Sequence, residues 1–561
     1  MDFKKRFCSI ARSPSVAART APLALLFSSL LVWGYFLESN SDIPWNALMP
    51  YLAALLLWGM LYVLICLLWT SLANHSPRKA AGTVKVMHLR RFLFISAIIL
   101  LICWGLTLLA AWPGYYCYDT DHFLGYLSTG YLKNSQPVIH TLLVGNVIRL
   151  GEKLLGSFDR GVALYFFMQI AVGISLVVHS LRCLARDGAP RWLLVFSVVF
   201  FAMNPAVSML MCCSTKDTLF SLWLVMFGII LYTCVGSETV GWRDLALLGL
   251  FSFLALSWRS NMVVALAVVA MVLLFALRKN RPSRRRILLS LAMGVAMFVL
   301  WSGPVCSALG VVSSNPLREA ISFPSVEIAR CQMTDDSIDS DLVSLGVDPN
   351  EFSSYYDESH QFTDRLRAVF YGAVEQGRYS ELFSLWVKVR MEHPLTCVAA
   401  DLDLTKAAWC PWALMDGYNE AYSKSMSAFD YDLTETCAFA AVCEPPVEQH
   451  SKIPALAGLY WEVSRFDDPA TLGPLFVLMS VAPYVWLLLV VLAHCSIVGN
   501  RAGKVFCWVL LSVVLTVLLG PMTLLRYYLY VILSLPMLLW LLVSRPAGDG
   551  LAVPEPSSDC V

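Results

Sequence analysis

Three cationic residues stand where long apolar runs begin or end: Lys216 in CCSTKDTLF, Arg259 in LSWRSNM and Arg526 in GPMTLLRYYLY. Ionisable groups at membrane depth are costly, so they mark candidate sites. Arg and Lys give charge-assisted bonds to phosphate oxygens, and three on one face fit a phosphate held at the membrane interface. Taken singly, each is better explained by snorkelling to lipid headgroups, and Lys216 has Asp217 beside it as a ready partner. Two carboxylates, Asp119 and Asp121, sit in WPGYYCYDTDHF at 112–123. Such groups suit a general base, or a metal held by both side chains. D-x-D alone does not separate these roles from a solvated loop behind an aromatic belt. His140, in QPVIHTLL, is a candidate for orienting a substrate or a hydrogen-bonded structural histidine. His360, His393 and His450 are too far apart in sequence to read as a metal motif. There is no P-loop, no GxGxxG in a strand–helix setting, no GxSxG elbow and no CxxC pair.

The elements that must position these residues are membrane helices. Only 14% of the 561 residues are charged and 58% are hydrophobic, too little polar surface to clothe a water-soluble fold of this size. A net charge of +1 argues against nucleic acid as a partner. Most of the 17 cysteines lie in apolar runs, where cysteine serves as a small hydrophobe. Apolar runs fall near 21–37, 50–70, 91–112, 161–182, 191–211, 218–235, 243–257, 261–277, 287–309, 471–494, 504–520 and 525–543. They predict an all-α polytopic membrane protein with about twelve spans, although several runs are shorter than the roughly 20 residues of a comfortable crossing. The first run follows Lys4, Lys5, Arg6 and Arg12 without a small-x-small cleavage site, and reads as an anchor.

With twelve spans, the basic N-terminus and the basic loops 77–91, 182–191, 278–286 and 498–504 all fall on one side. The positive-inside rule makes that side cytoplasmic, with both termini there and 546–561 as a short tail. The expected organisation is a transmembrane module over 1–311 with an outer loop at 113–160, an extracytoplasmic domain over 312–470, and further transmembrane helices over 471–545. The outer loop carries an amphipathic helix over 138–155, with Leu143, Val147, Leu150 and Leu154 at helical spacing, suited to lying along the interface. The segment 312–470 holds 26 acidic and 11 basic residues and is long enough to fold as a domain. Its cysteines, Cys331, Cys397, Cys410, Cys437 and Cys443, face an oxidising side, with Cys437–Cys443 the nearest candidate pair and free thiols the alternative.

In these residues the chain resembles the GT-C superfamily of membrane glycosyltransferases, and most closely a largely uncharacterised bacterial group of them. The resemblance lies in GYYCYDT (114–120), QPVIHTLLVG (136–145), NPAVSMLMCCSTKDTLF (204–220), WRSN (258–261), SFPSVEIAR (322–330) and GPMTLLRYYLY (520–530), spread in family-like order over about 110–530. It implies a fold of many spans with interfacial helices in a large first outer loop. It implies Asp119 as catalytic base, with Asp121 a less secure second carboxylate, and Lys216, Arg259 and Arg526 beside a lipid-phosphate site. Glu327 and Arg330 match a patterned stretch and, with His140, are candidates for substrate binding; a glutamine-rich version of SFPSVEIAR is the expected form. The implied reaction moves a sugar from a polyprenyl-phosphate donor to a glycan or lipid acceptor on the outer face of the plasma membrane, with inversion. No metal site is assigned, and a divalent cation is not favoured. The rival readings are an O-antigen-ligase-like or polymerase-like enzyme using Arg390 and His393 of the late outer segment, and a lipid or solute transporter, which would show broken or repeated spans.

Overall fold

The structure is a computed structural model. It describes residues 7–8, 10, 13–75, 86–116, 120, 125, 129–315, 317–359, 363–413, 447, 450–465 and 473–544. Asp119, Asp121, His360, Cys437, Cys443 and the tail lie outside the described residues.

The described chain is helical throughout, with two isolated bridges, Tyr115–Cys213 and Lys133–Val312, as its extended pairings. Six helices are long and apolar enough to cross a membrane: Pro14–Asn40, Met49–Leu72, His88–Ala110, Phe158–Arg186, Lys216–Gly236 and Arg281–Ala308. The number rises to eight if each of two bent pairs makes one span. Four further runs form helices of 17, 15, 16 and 17 residues, Trp242–Trp258, Met262–Ala276, Ala482–Ile497 and Arg501–Val517. At 1.5 Å per residue these reach roughly 23–26 Å, short of the ~30 Å hydrocarbon core.

Both bends have a sequence cause. Arg191–Met203 and Pro205–Met211 meet at 60°. Pro205 has no N–H to continue the ladder and forces Asn204 into an extended conformation (φ −72°, ψ 116°). The Asn204 side chain then accepts from the Val207 amide at 3.2 Å and starts a new helix. Leu525–Leu533 and Leu535–Val543 meet at 43°, with Pro536 in the first turn of the second. In the long Arg281 helix, Pro304 removes another donor and the turn Trp301–Val305 widens to a π-helical one, a form found at functional sites.

The helix Val138–Leu155 forms over the expected residues, but its buried face differs from the predicted stripe. Val144, Ile148 and Gly151 face inward, whereas Leu150 and Leu154 are exposed. Gly151 and Gly161 set this register. A Cβ on Gly161 would come within 2.3 Å of the Ile148 carbonyl, so only glycine lets this helix lie so close to Phe158–Arg186.

A second hydrophobic core runs from Ile321 to Leu404, separate from that of the membrane helices. Its centre is the helix Ser322–Gln332, against which Thr363–Ala368, Tyr379–Glu392 and Pro394–Thr405 pack. Cys331 and Cys397 meet inside it with sulfurs 3.7 Å apart; they and Cys410 are free thiols.

Candidate functional site

Lys216, Arg259 and Arg526 line one cavity of about 620 Å³. Each is placed by a break in a helix. Thr215, extended at φ −62° and ψ 142°, caps the helix that Lys216 opens. Arg259 follows Trp258 in an extended conformation (φ −145°, ψ 120°), where the Trp242 helix ends. Arg526 lies in the short 3-10 turn Leu525–Tyr528 at the head of the second bent pair.

Asp217 joins two of the cations. Its carboxylate is 1% exposed, and one oxygen forms an ion pair with Arg259 at 2.5 Å. The other oxygen faces Arg526 Nε at 3.5 Å and accepts from the Thr215 hydroxyl at 3.1 Å. Arg526 also donates to Thr215 Oγ1 at 3.1 Å. Lys216 does not form the pair with its neighbour Asp217 that adjacency suggested; its ammonium donates to Gln136 Oε1 at 2.6 Å. The Tyr527 ring lies 4.6 Å from the Arg259 guanidinium and 5.2 Å from that of Arg526, a cation–π contact on each. Three cations and one carboxylate give this cluster a formal charge of +2.

Two walls differ in chemistry. Asn134, Ser135, Gln136, Ser260 and Asn261 are polar, whereas Phe298, Trp301, Val517 and Leu519 are apolar. The apolar lining comes from the end of the Arg281 helix with its π-helical turn and from the end of Arg501–Val517 and the residues after it, where Leu519 is 68% exposed. Lining residues at 216, 256–261, 298–302 and 516–517 all stand at one end of their helices. The basic stretches 278–286 and 501–504 stand at the other end of the same helices.

His140 is fully buried, and its Nε2 donates to the Ser214 carbonyl at 3.1 Å. Ser214 also gives its amide to the Tyr115 carbonyl at 3.0 Å and shares a hydroxyl–hydroxyl bond with Thr120. Gln169 Nε2 donates to the carbonyls of Met211 and Cys213 at 3.0 and 2.9 Å. His140 and Gln169 therefore hold the segment 212–214 that leads into Lys216, and Thr120, between Asp119 and Asp121 in sequence, is tied to that segment. His140 is a supporting residue rather than a cavity-lining one.

Glu327 and Arg330 stand away from the cavity. Glu327 is fully buried, pairs with Arg390 and accepts from Trp386 Nε1 at 3.0 Å. Arg330 donates to the Ser41 carbonyl at 2.6 Å, to Asp42 at 3.0 Å and to Asp403 at 3.4 Å. Lys406 adds pairs to Glu38 and Asp403, both at 3.1 Å. These bonds fasten the helices of the second core to the end of Pro14–Asn40 and the turn after it. Arg390 also bonds Asp401 at 3.2 Å, and His393 bonds Asp335 at 3.0 Å; neither lines the cavity. Burial first, and the neighbouring Glu327 second, push the Asp401 carboxyl up to about 7. Among the described residues, no three His, Cys, Asp or Glu come together as metal ligands.

Sequence reasoning did not single out Gln136, Thr215, Gln169, Asp364 or Arg367. Gln136 and Thr215 lie inside the quoted motifs QPVIHTLL and CCSTKDTLF, which was their one signal; the last two come from a polar stretch without a pattern.

Residues 113–338 match the model of a family described as a family of unknown function (DUF6020). That stretch carries His140, Lys216, Arg259, Glu327 and Arg330, and ends before Asp364 and Arg526. No curated protein and no solved structure matches the chain.

Proposed function

We propose that the protein is an integral membrane glycosyltransferase that takes a sugar from a polyprenyl-phosphate donor and passes it to a cell-envelope glycan or lipid on the outer face. The observation that carries this reading is the meeting of Lys216, Arg259 and Arg526 in one cavity with an apolar wall. A lipid phosphate needs cations at its head and an apolar surface along its chain, and this cavity offers both. The twelve crossings and the cytoplasmic position of the basic loops belong to the same reading, with the four short helices completing the count. Nucleotide sugars are cytoplasmic, so a transferase on the outer face needs a donor already carried across on a lipid.

In this reading the Asp119 carboxylate takes the proton of an acceptor hydroxyl as its oxygen attacks the anomeric carbon. The bond from that carbon to the phosphate oxygen breaks, and the electron pair leaves with the phosphate. Its charge moves from −1 toward −2, which the +2 cluster stabilises as it develops. Displacement in one step inverts the anomeric centre.

A transporter is the second reading, because one bent helix pair ends at Met211, shortly before Lys216, the other carries Arg526, and discontinuous helices build substrate sites in transporters. Purified protein in detergent, given a polyprenyl-phosphate-sugar extract and envelope acceptor, separates the two. A transferase labels the acceptor without any sealed compartment. A transporter labels nothing in detergent and moves lipid only in vesicles.

A further inference from the structure

The helix Thr363–Ala368 belongs to the outer segment, yet it contributes Asp364 and Arg367 to the cavity that holds the three cations. It is fastened there by the Thr363 amide, which donates at 3.2 Å to the Pro521 carbonyl in the loop before Arg526. Asp364 is the one carboxylate among the described lining residues. Its side chain is 36% exposed, while Arg367, with which it pairs, is 11% exposed and also reaches the Arg318 carbonyl at 3.5 Å. The pair therefore lines the cavity together, with the carboxylate its more exposed member.

An ionised carboxylate only accepts hydrogen bonds, so whatever it recognises must donate. Phosphate oxygens are repelled. An ammonium group is disfavoured by Lys216, Arg259, Arg526 and Arg367 in the same cavity. A hydroxyl remains. We propose that Asp364, held by Arg367, is an acceptor-positioning residue that binds a hydroxyl of a polyhydroxylated acceptor on the outer side of the phosphate site. The neutral side chains of Asn134 and Ser135 in the same cavity suit further hydroxyls. This inference rests on the transferase reading: the membrane helices hold the donor phosphate, and the outer segment chooses the acceptor.

The test uses the full-length protein in nanodiscs and two probes. Farnesyl phosphate, measured by calorimetry, reports the phosphate site. A panel of methyl glycosides at millimolar concentration, measured by saturation-transfer NMR with farnesyl phosphate present, reports the hydroxyl side. Wild-type protein should bind farnesyl phosphate and saturate the ring protons of at least one glycoside. Asp364→Asn should weaken that glycoside by about tenfold or more, the size of a lost hydrogen bond to a charged group. Asp364→Glu should restore it, and farnesyl phosphate should bind all three proteins alike. Absence of a glycoside signal in wild type, an undiminished signal in Asp364→Asn, or loss of farnesyl phosphate binding with Asp364→Asn would each overturn the proposal. If wild type fails to bind farnesyl phosphate, the transferase reading itself falls.

Discussion

Asp217 brings a single negative charge into a site made from three positive ones. Its ion pairs with Arg259 and Arg526 hold both guanidinium groups beside it, and Lys216 is held by the neutral Gln136. Replacing Arg259, Arg526 or Lys216 by Gln should therefore weaken farnesyl phosphate binding by about tenfold or more each, as loss of a charge-assisted bond requires. Calorimetry on the purified variants reads this; unchanged affinity in all three would leave headgroup snorkelling as the account of these cations. Asp119→Asn keeps the shape and removes the base, so sugar transfer should fall by about 10² or more with phosphate binding intact. The three cations were legible in sequence because an ionisable residue at the end of an apolar run has few alternatives. Their partners were not. Gln136, Asp364 and Arg367 are ordinary loop and helix residues, and what makes them part of the site is the closure of segments far apart in the chain.

Helix ends and the widened turn Trp301–Val305 supply much of the cavity lining. Pro205, Pro304 and Pro536 each remove a backbone donor at a place where the chain must bend or widen. Those positions were visible as prolines in apolar runs, but the direction of each bend depends on packing that the sequence does not state. The same holds for Val138–Leu155, whose helical period was clear while its inward face was decided by the Gly151–Gly161 contact. Arg330, Asp403 and Lys406 are all buried and paired where the helices of the second core meet the end of Pro14–Asn40 and the turn after it. Breaking a buried pair strands a charge at a cost of about 3–5 kcal/mol, so Arg330→Ala should release the helices of the second core locally. Hydrogen exchange should then quicken in Ser322–Gln332 and Pro394–Thr405 while the Lys216 helix keeps its protection; uniform protection in the variant would remove this clamp from the account. Asp401 gives the same region a pH dependence. A carboxyl whose proton is held more tightly when folded binds more protons folded than unfolded between about pH 4 and 7. Its contribution to stability is therefore present at the acid end of that window and is lost as pH rises toward 7. Exchange in Pro394–Thr405 should quicken over that interval in wild type, and Asp401→Asn should flatten the response. A response of the same size in the variant would place the titrating group elsewhere.

At the scale of the whole molecule, the cavity and the basic loops occupy opposite ends of the same helices. If the basic loops are cytoplasmic, the cavity and the outer segment share the other face. Cysteines introduced at the exposed Thr129 and Glu351 should then react with an impermeant maleimide added to intact cells, and Lys279→Cys should react only after lysis. Labelling of only one of the first two would break the alternation on which the twelve-span reading depends. The all-helical membrane character was legible from composition and run length alone. The number of crossings was not, because helices of 15 to 17 residues carry the same apolar pattern whether they span, tilt or stop short. The central claim is that this cavity discharges a lipid-linked sugar onto an envelope acceptor. It is tested most directly by mass spectrometry of envelope glycans and polyprenyl-linked sugars from cells carrying wild type, Asp119→Asn or Arg526→Gln at equal membrane levels. The account predicts that both variants lack one sugar on an envelope glycan or lipid and accumulate the matching polyprenyl-phosphate sugar. Glycan and lipid profiles indistinguishable from wild type in both variants would contradict it.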